Sequence, residues 1–145
     1  MSENTNNKLP AWFWIVTALA LVWNFMGVSA FIMDFLMSAE DLSAMEDDLR
    51  AVYENTPSWA NIAYGVAVFG GALGCLLLLF RKQLATAFLV TSVAGIIVQM
   101  ILSFFFSNSF AVFGPFELTM AIMVPIVGIL LIWLSISAVK KGWIS

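Results

Sequence analysis

Long runs of apolar residues alternate with short polar breaks along the chain. Four of these runs approach the length of about 20 residues that a helix needs to cross roughly 30 Å of hydrocarbon. They cover about residues 12–35, 59–80, 84–106 and 118–139, and each is apolar on every side. Membrane strands would be shorter and would alternate polar with apolar positions. The pattern predicts an all-α integral membrane protein, an antiparallel bundle of four transmembrane helices forming one membrane domain over residues 1–145. Val28-Ser29-Ala30 has the look of a signal-peptide cleavage site, but the apolar run continues to about Met33. A signal h-region holds only about 7–15 residues, so the first span is read as a permanent helix.

The polar breaks set the connections. Arg81-Lys82-Gln83 alone separates the second and third spans, and a short loop to Pro115 separates the third and fourth. Both pairs are therefore expected to be antiparallel neighbours. The break over 38–58 is longer. In it Leu42, Met45, Leu49 and Val52 recur at three- and four-residue steps, the period of a short amphipathic helix. Ser43 followed by Glu46 has the form of a capping box, and Asn55-Thr56-Pro57 is a stop signal. Glu40, Asp41, Glu46, Asp47, Asp48 and Glu54 make this loop acidic. Such a face is either simply solvated or attracts cations or a partner. Met1 to Lys8 is rich in Asn, Ser and Thr and is expected to be mobile.

Composition narrows the function classes. Apolar residues make up 62% of the chain and charged residues 10%, with a mean hydropathy of +0.98. A soluble domain carries about 25% charged residues and could not hide this much apolar surface in so small a core. There is no histidine and one cysteine. That excludes His-ligated haem, His-based zinc sites, Ser-His-Asp catalysis and an intrachain disulfide. An intramembrane aspartyl protease needs two membrane aspartates, and only Asp34 qualifies; no lysine lies within a span to hold retinal. Cys75 sits deep in an apolar run, where a thiol is inert packing. No enzyme activity, metal, cofactor or nucleic-acid partner is expected.

Charge sets the orientation. Lys8, Arg81, Lys82, Lys140 and Lys141 fall on one side of the four-span arrangement and Arg50 on the other. The positive-inside rule then places both termini in the cytoplasm and the 38–58 loop outside. Trp12, Trp14 and Trp143 would anchor the inner interface, and Trp59 with Phe104, Phe105 and Phe106 the outer one.

Polar groups inside hydrocarbon are costly and point to function. Asn24 lies near the middle of the first span and Gln99 in the outer half of the third. Asp34 closes the first span and Glu117 opens the fourth, while Tyr64 enters the second from outside. With Trp23, these residues are the candidate ligand-binding set for a polar pocket open to the outer side. Each also has a plain structural alternative: interhelical bonding for Asn24 and Gln99, interfacial hydration for Asp34, and helix-dipole stabilisation for Glu117. Pro125 should free the carbonyl of Ala121 and kink the fourth span. Ala63, Ala67, Gly70, Gly71 and Gly74 give the second span a small-residue face, including a GxxxG. Such a face lets helices approach closely, within the chain or between copies.

Several segments together carry a resemblance. They are Trp23-Asn24-Phe25-Met26-Gly27, Pro57-Ser58-Trp59-Ala60, Ala67 through Cys75 with the leucine run and Arg81-Lys82, Val98-Gln99-Met100, and Lys141-Gly142-Trp143. The chain resembles a family of small, uncharacterised four-helix bacterial inner-membrane proteins often labelled "sugar transporter". The resemblance covers nearly the whole chain. It implies four spans, a bacterial inner-membrane location and transport of a small polar solute, such as a sugar; it brings no assigned site residues. Four helices are few for an alternating-access carrier, so a homo-oligomer embedded in membrane lipid is expected. The alternative function is a non-transporting scaffold that acts through the acidic external helix or the small-residue face.

Overall fold

The computed structural model describes residues 8–105 and 109–145. The N-terminal stretch expected to be mobile lies, apart from Lys8, outside the described residues. So do Phe106 and Ser107, where the third span is expected to end. The chain is all-α. Helix α1 (Ala11–Phe35) is followed by the short α2 (Ala39–Ser43) and α3 (Asp47–Asn55), then by α4 (Ala60–Leu79) and α5 (Ala85–Phe105). A short α6 (Ser109–Val112) leads into α7 (Pro115–Lys140). Four of these helices, α1, α4, α5 and α7, are long and apolar enough to cross a membrane, and together they form an antiparallel four-helix membrane bundle.

Helix α1 packs on α4, α4 on α5, and α5 on α7. The circle does not close fully: α1 and α7 flank a groove instead of packing tightly. The tightest seam lies between α4 and α5, and small residues make it. A Cβ on Gly95 would stand 2.9 Å from both the Ala63 carbonyl oxygen and the Ala67 backbone nitrogen. One on Gly70 would stand 3.2 Å from the Phe88 carbonyl oxygen, and one on Gly74 would stand 2.7 Å from the Leu89 side chain. The Ser92 hydroxyl donates to the Ala67 carbonyl across this seam. The GxxxG pair is thus covered by α5 within the chain. Gly71 turns instead toward α1 and the Asn24 amide.

One end of the bundle is basic. There α4 finishes in a six-to-one bond from the Lys82 N–H to the Leu77 carbonyl (2.8 Å), with Arg81 in the left-handed region at φ 58°. Helix α7 ends the same way, with the Trp143 N–H on the Ala138 carbonyl (2.9 Å) and Gly142 at φ 66°. Both closures satisfy carbonyls that a helix end leaves free. The last residues then fold back over the α4–α5 turn. The Gln83 N–H donates to the Ser145 carbonyl, the Ser145 N–H to the Arg81 carbonyl, and Arg81 Nε to the Trp143 carbonyl. The Trp143 ring sits 5.9 Å from both Trp12 and Phe13. Beneath it Phe13, Leu78, Leu89, Leu134 and Ala138 form the buried core. Lys8, Arg81, Lys82, Lys140 and Lys141 all belong to this end.

The opposite end carries α2, α3 and α6 and is called the loop end below. The single amphipathic helix expected here is two helices. The capping box is built by Ser38 and Asp41, not by Ser43 and Glu46. The Ser43 hydroxyl donates to the Glu40 carbonyl instead. Glu46 is extended (φ −59°, ψ 146°), and α3 starts at Asp47 with two carboxylates in its first turn. Acidic residues favour a helix N-terminus, which explains a fresh start there. The apolar stripe survives the break: Val52 is buried and Leu42, Met45 and Leu49 are half-buried. The stop is where it is expected, since α3 ends at Asn55 and the Thr56 hydroxyl donates to the Val52 carbonyl. Helix α3 reaches across the loop end to touch α6.

Candidate solute cavity

Helix α1 brings Trp23, Asn24 and Asp34 to the middle and loop end of the bundle. Antiparallel packing brings Tyr64 of α4, Gln99 of α5 and Glu117 of α7 to the same half. All six sequence-nominated polar and aromatic residues line one cavity of about 410 Å³. On α5 its wall runs from Ser103 to Leu89 and on α7 from Glu117 to Leu131. At 1.5 Å per residue that is a depth of about 21 Å. The cavity is therefore long and narrow, with its acidic groups at the loop end.

Each polar group is held differently. Asn24 Nδ2 donates to the Ala20 carbonyl at 2.8 Å and to the Cys75 sulfur at 3.5 Å, which ties α1 to α4. Its amide oxygen lies against Gly71, where only a hydrogen leaves it room: a Cβ would come within 2.0 Å. Gln99 is half-buried, and its Oε1 is the buried side-chain oxygen without a hydrogen-bond partner among the described residues. An unpaired polar atom at such depth costs free energy that a donor would recover. Glu117 lies in the first turn of α7, two residues after Pro115 at the helix start. It remains exposed at the rim. Pro125 has no N–H to bond the Ala121 carbonyl, and Ala121 lies on the cavity wall.

Asp34 is at the rim on the last turn of α1, with the Tyr53 phenol of α3 beside it. Burial first, then the neighbouring Asp34 carboxylate, holds the Tyr53 phenol above its ordinary value. Below the rim, Phe31 packs edge-on to Tyr64 (5.2 Å) and to Phe69 (5.7 Å). This aromatic contact fixes Tyr64 between α1 and α4.

The cavity also uses residues that the sequence pattern did not single out for it: Ser92, Ser103, Met100, Phe113, Met120 and Val124. The two serines carry little signal, because a hydroxyl in a span can bond its own helix. Phe113 lies in the link between α6 and α7, where no periodicity marks a wall residue. The small-residue set plays a mixed part. Ala67 and Gly71 face the cavity, whereas Gly70 and Gly74 lie in the α4–α5 seam.

A second, apolar cavity of about 370 Å³ lies between α1 and α7 alone. It shares Trp23, Val127 and Leu131 with the first, so the two adjoin at these residues. Comparison of the chain with protein families, curated proteins and solved structures finds no match.

Proposed function

We propose that this chain is a small solute-binding membrane protein of the transporter or permeation class, with no enzymatic activity. One observation carries the reading. Six polar or aromatic residues from four helices, among them Asn24 and Gln99 that are costly to place in hydrocarbon, line a single cavity. Ligand sites are commonly of this kind, mostly apolar with a few convergent polar groups. On this reading the basic end faces the cytoplasm of a bacterium, the protein sits in its inner membrane, and the solute enters at the loop end. The transporter-like sequence resemblance supports the same class, and a homo-oligomer in lipid is the working assembly. The Gly70 and Gly74 pair is covered by α5 and cannot dock a partner, which leaves the scaffold alternative only the acidic external helix.

Thiol accessibility tests the reading without knowing the solute. In a Cys75→Ser background, Val124→Cys faces the cavity, whereas Ile129→Cys faces outward and is 59% exposed to the surrounding lipid. A membrane-impermeant charged thiol reagent added outside spheroplasts should modify the first and spare the second. Equal modification of both, or of neither, would contradict a solute cavity open at the loop end.

A further inference from the structure

Three features of the cavity restrict what can occupy it. The first is shape. About 410 Å³ is spread over a depth of about 21 Å, so the cavity is elongated along the bundle. A space of this shape suits an extended chain better than a round molecule. The second is the opening between α1 and α7. The groove there continues from Trp23, Val127 and Leu131 to Leu19, Leu130 and Trp133, all apolar. Leu19, Leu130 and Trp133 are 65%, 57% and 65% exposed, so in a bilayer the groove opens to lipid tails. The third is charge. Asp34 and Glu117 stand at the rim, and no lysine or arginine lines either cavity. Deeper on the α5 wall than Ser103, Gln99 Oε1 lacks a donor among the described residues.

We infer that the ligand is a single-chain cationic amphiphile, a long-chain alkylammonium, with its head between Gln99 and the Asp34 and Glu117 carboxyl groups of the rim and its tail in the α1–α7 groove. This rests on the reading that the cavity is a solute site. An ammonium head supplies positive charge to the two carboxyl groups and an N–H to the Gln99 oxygen, which a quaternary head or a neutral alcohol would not do together. The tail replaces lipid along the groove while the head stays at the loop end. Anionic amphiphiles of the same length face like charge at the rim, a juxtaposition that lowers affinity by roughly tenfold or more.

The test uses the full chain in nanodiscs and a photoactivatable dodecylamine with its reactive group at the chain end. Labelling should saturate and map to the peptides around Trp23 and Val127–Leu131. Unlabelled dodecylamine should compete roughly tenfold better than dodecyl sulfate, and Asp34→Asn with Glu117→Gln should erase that preference. Methylammonium, the head without a chain, should not compete. If methylammonium competes as well as dodecylamine, the amphiphile inference is overturned and the solute site stands. If dodecyl sulfate competes equally, the charge assignment is overturned. Unsaturable labelling spread over outward residues such as Ile122 and Ile129 would overturn both the inference and the solute site.

Discussion

Replacing Gly95 by alanine puts a methyl group where the backbone of α4 already stands. The new Cβ would lie 2.9 Å from the Ala63 carbonyl oxygen, 2.9 Å from the Ala67 nitrogen and 3.2 Å from the Ala67 Cα. None of these atoms can rotate away, so α4 and α5 must separate. Overpacking of this kind costs about 1–3 kcal/mol. Separation also stretches the Ser92–Ala67 bond, worth about 0.6 kcal/mol between membrane helices. Alanine recovers about 1 kcal/mol of helix propensity. The net expectation is a loss of about 1.5 kcal/mol. Gly71→Ala is the internal comparison. Its Cβ meets the Asn24 amide oxygen at 2.0 Å, a nearer clash, but with the tip of a side chain beside a cavity. Asn24 can swing aside and lose only its bonds to Ala20 and Cys75, so stability should change by less than about 1 kcal/mol. Reversible unfolding in mixed micelles with increasing SDS, followed by circular dichroism, measures both. A Gly95→Ala protein as stable as the parent, or a Gly71→Ala protein more damaged than Gly95→Ala, would refute the backbone contact at the α4–α5 seam.

Gly142→Ala should cost about 1–2 kcal/mol, because φ 66° is the left-handed region that a Cβ disfavours and because this turn returns the chain to Arg81; thermal unfolding in detergent reads it. Tyr53 should titrate above 10 by phenolate absorbance, and Asp34→Asn should lower its midpoint only in part, since burial is the larger cause. The sign follows directly: the folded state favours the neutral phenol, so stability is level below pH 10 and falls as pH rises through the folded-state value.

The four spans were legible to within a few residues because length and uniform apolarity depend on the bilayer alone. Helix α7 starts at Pro115, ahead of the apolar run at Leu118, since proline at the first position and Glu117 in the first turn both favour a helix start. The loop was harder. Leu42, Met45, Leu49 and Val52 keep one face across the gap between α2 and α3, so periodicity alone read one helix. Local capping at Ser38 and the acidic pair Asp47-Asp48 decided otherwise. Polar cost picked out Asn24, Gln99 and Glu117, and the fold brings them to one cavity. It could not reveal Tyr53 beside Asp34, because a tyrosine on a surface helix carries no such cost. The partner of the small-residue face was also hidden: Gly95 is the lone glycine of α5, and nothing in the pattern of α5 alone says what it faces.

Native mass spectrometry of the chain, taken from its membrane in mild detergent, tests the central claim most directly. One small molecule should be retained per chain at fixed stoichiometry, with retention lost in Gln99→Leu and Asn24→Leu proteins that still fold. Retention of bilayer phospholipid alone, or a small-molecule adduct unchanged by both substitutions, would contradict a solute site in this cavity.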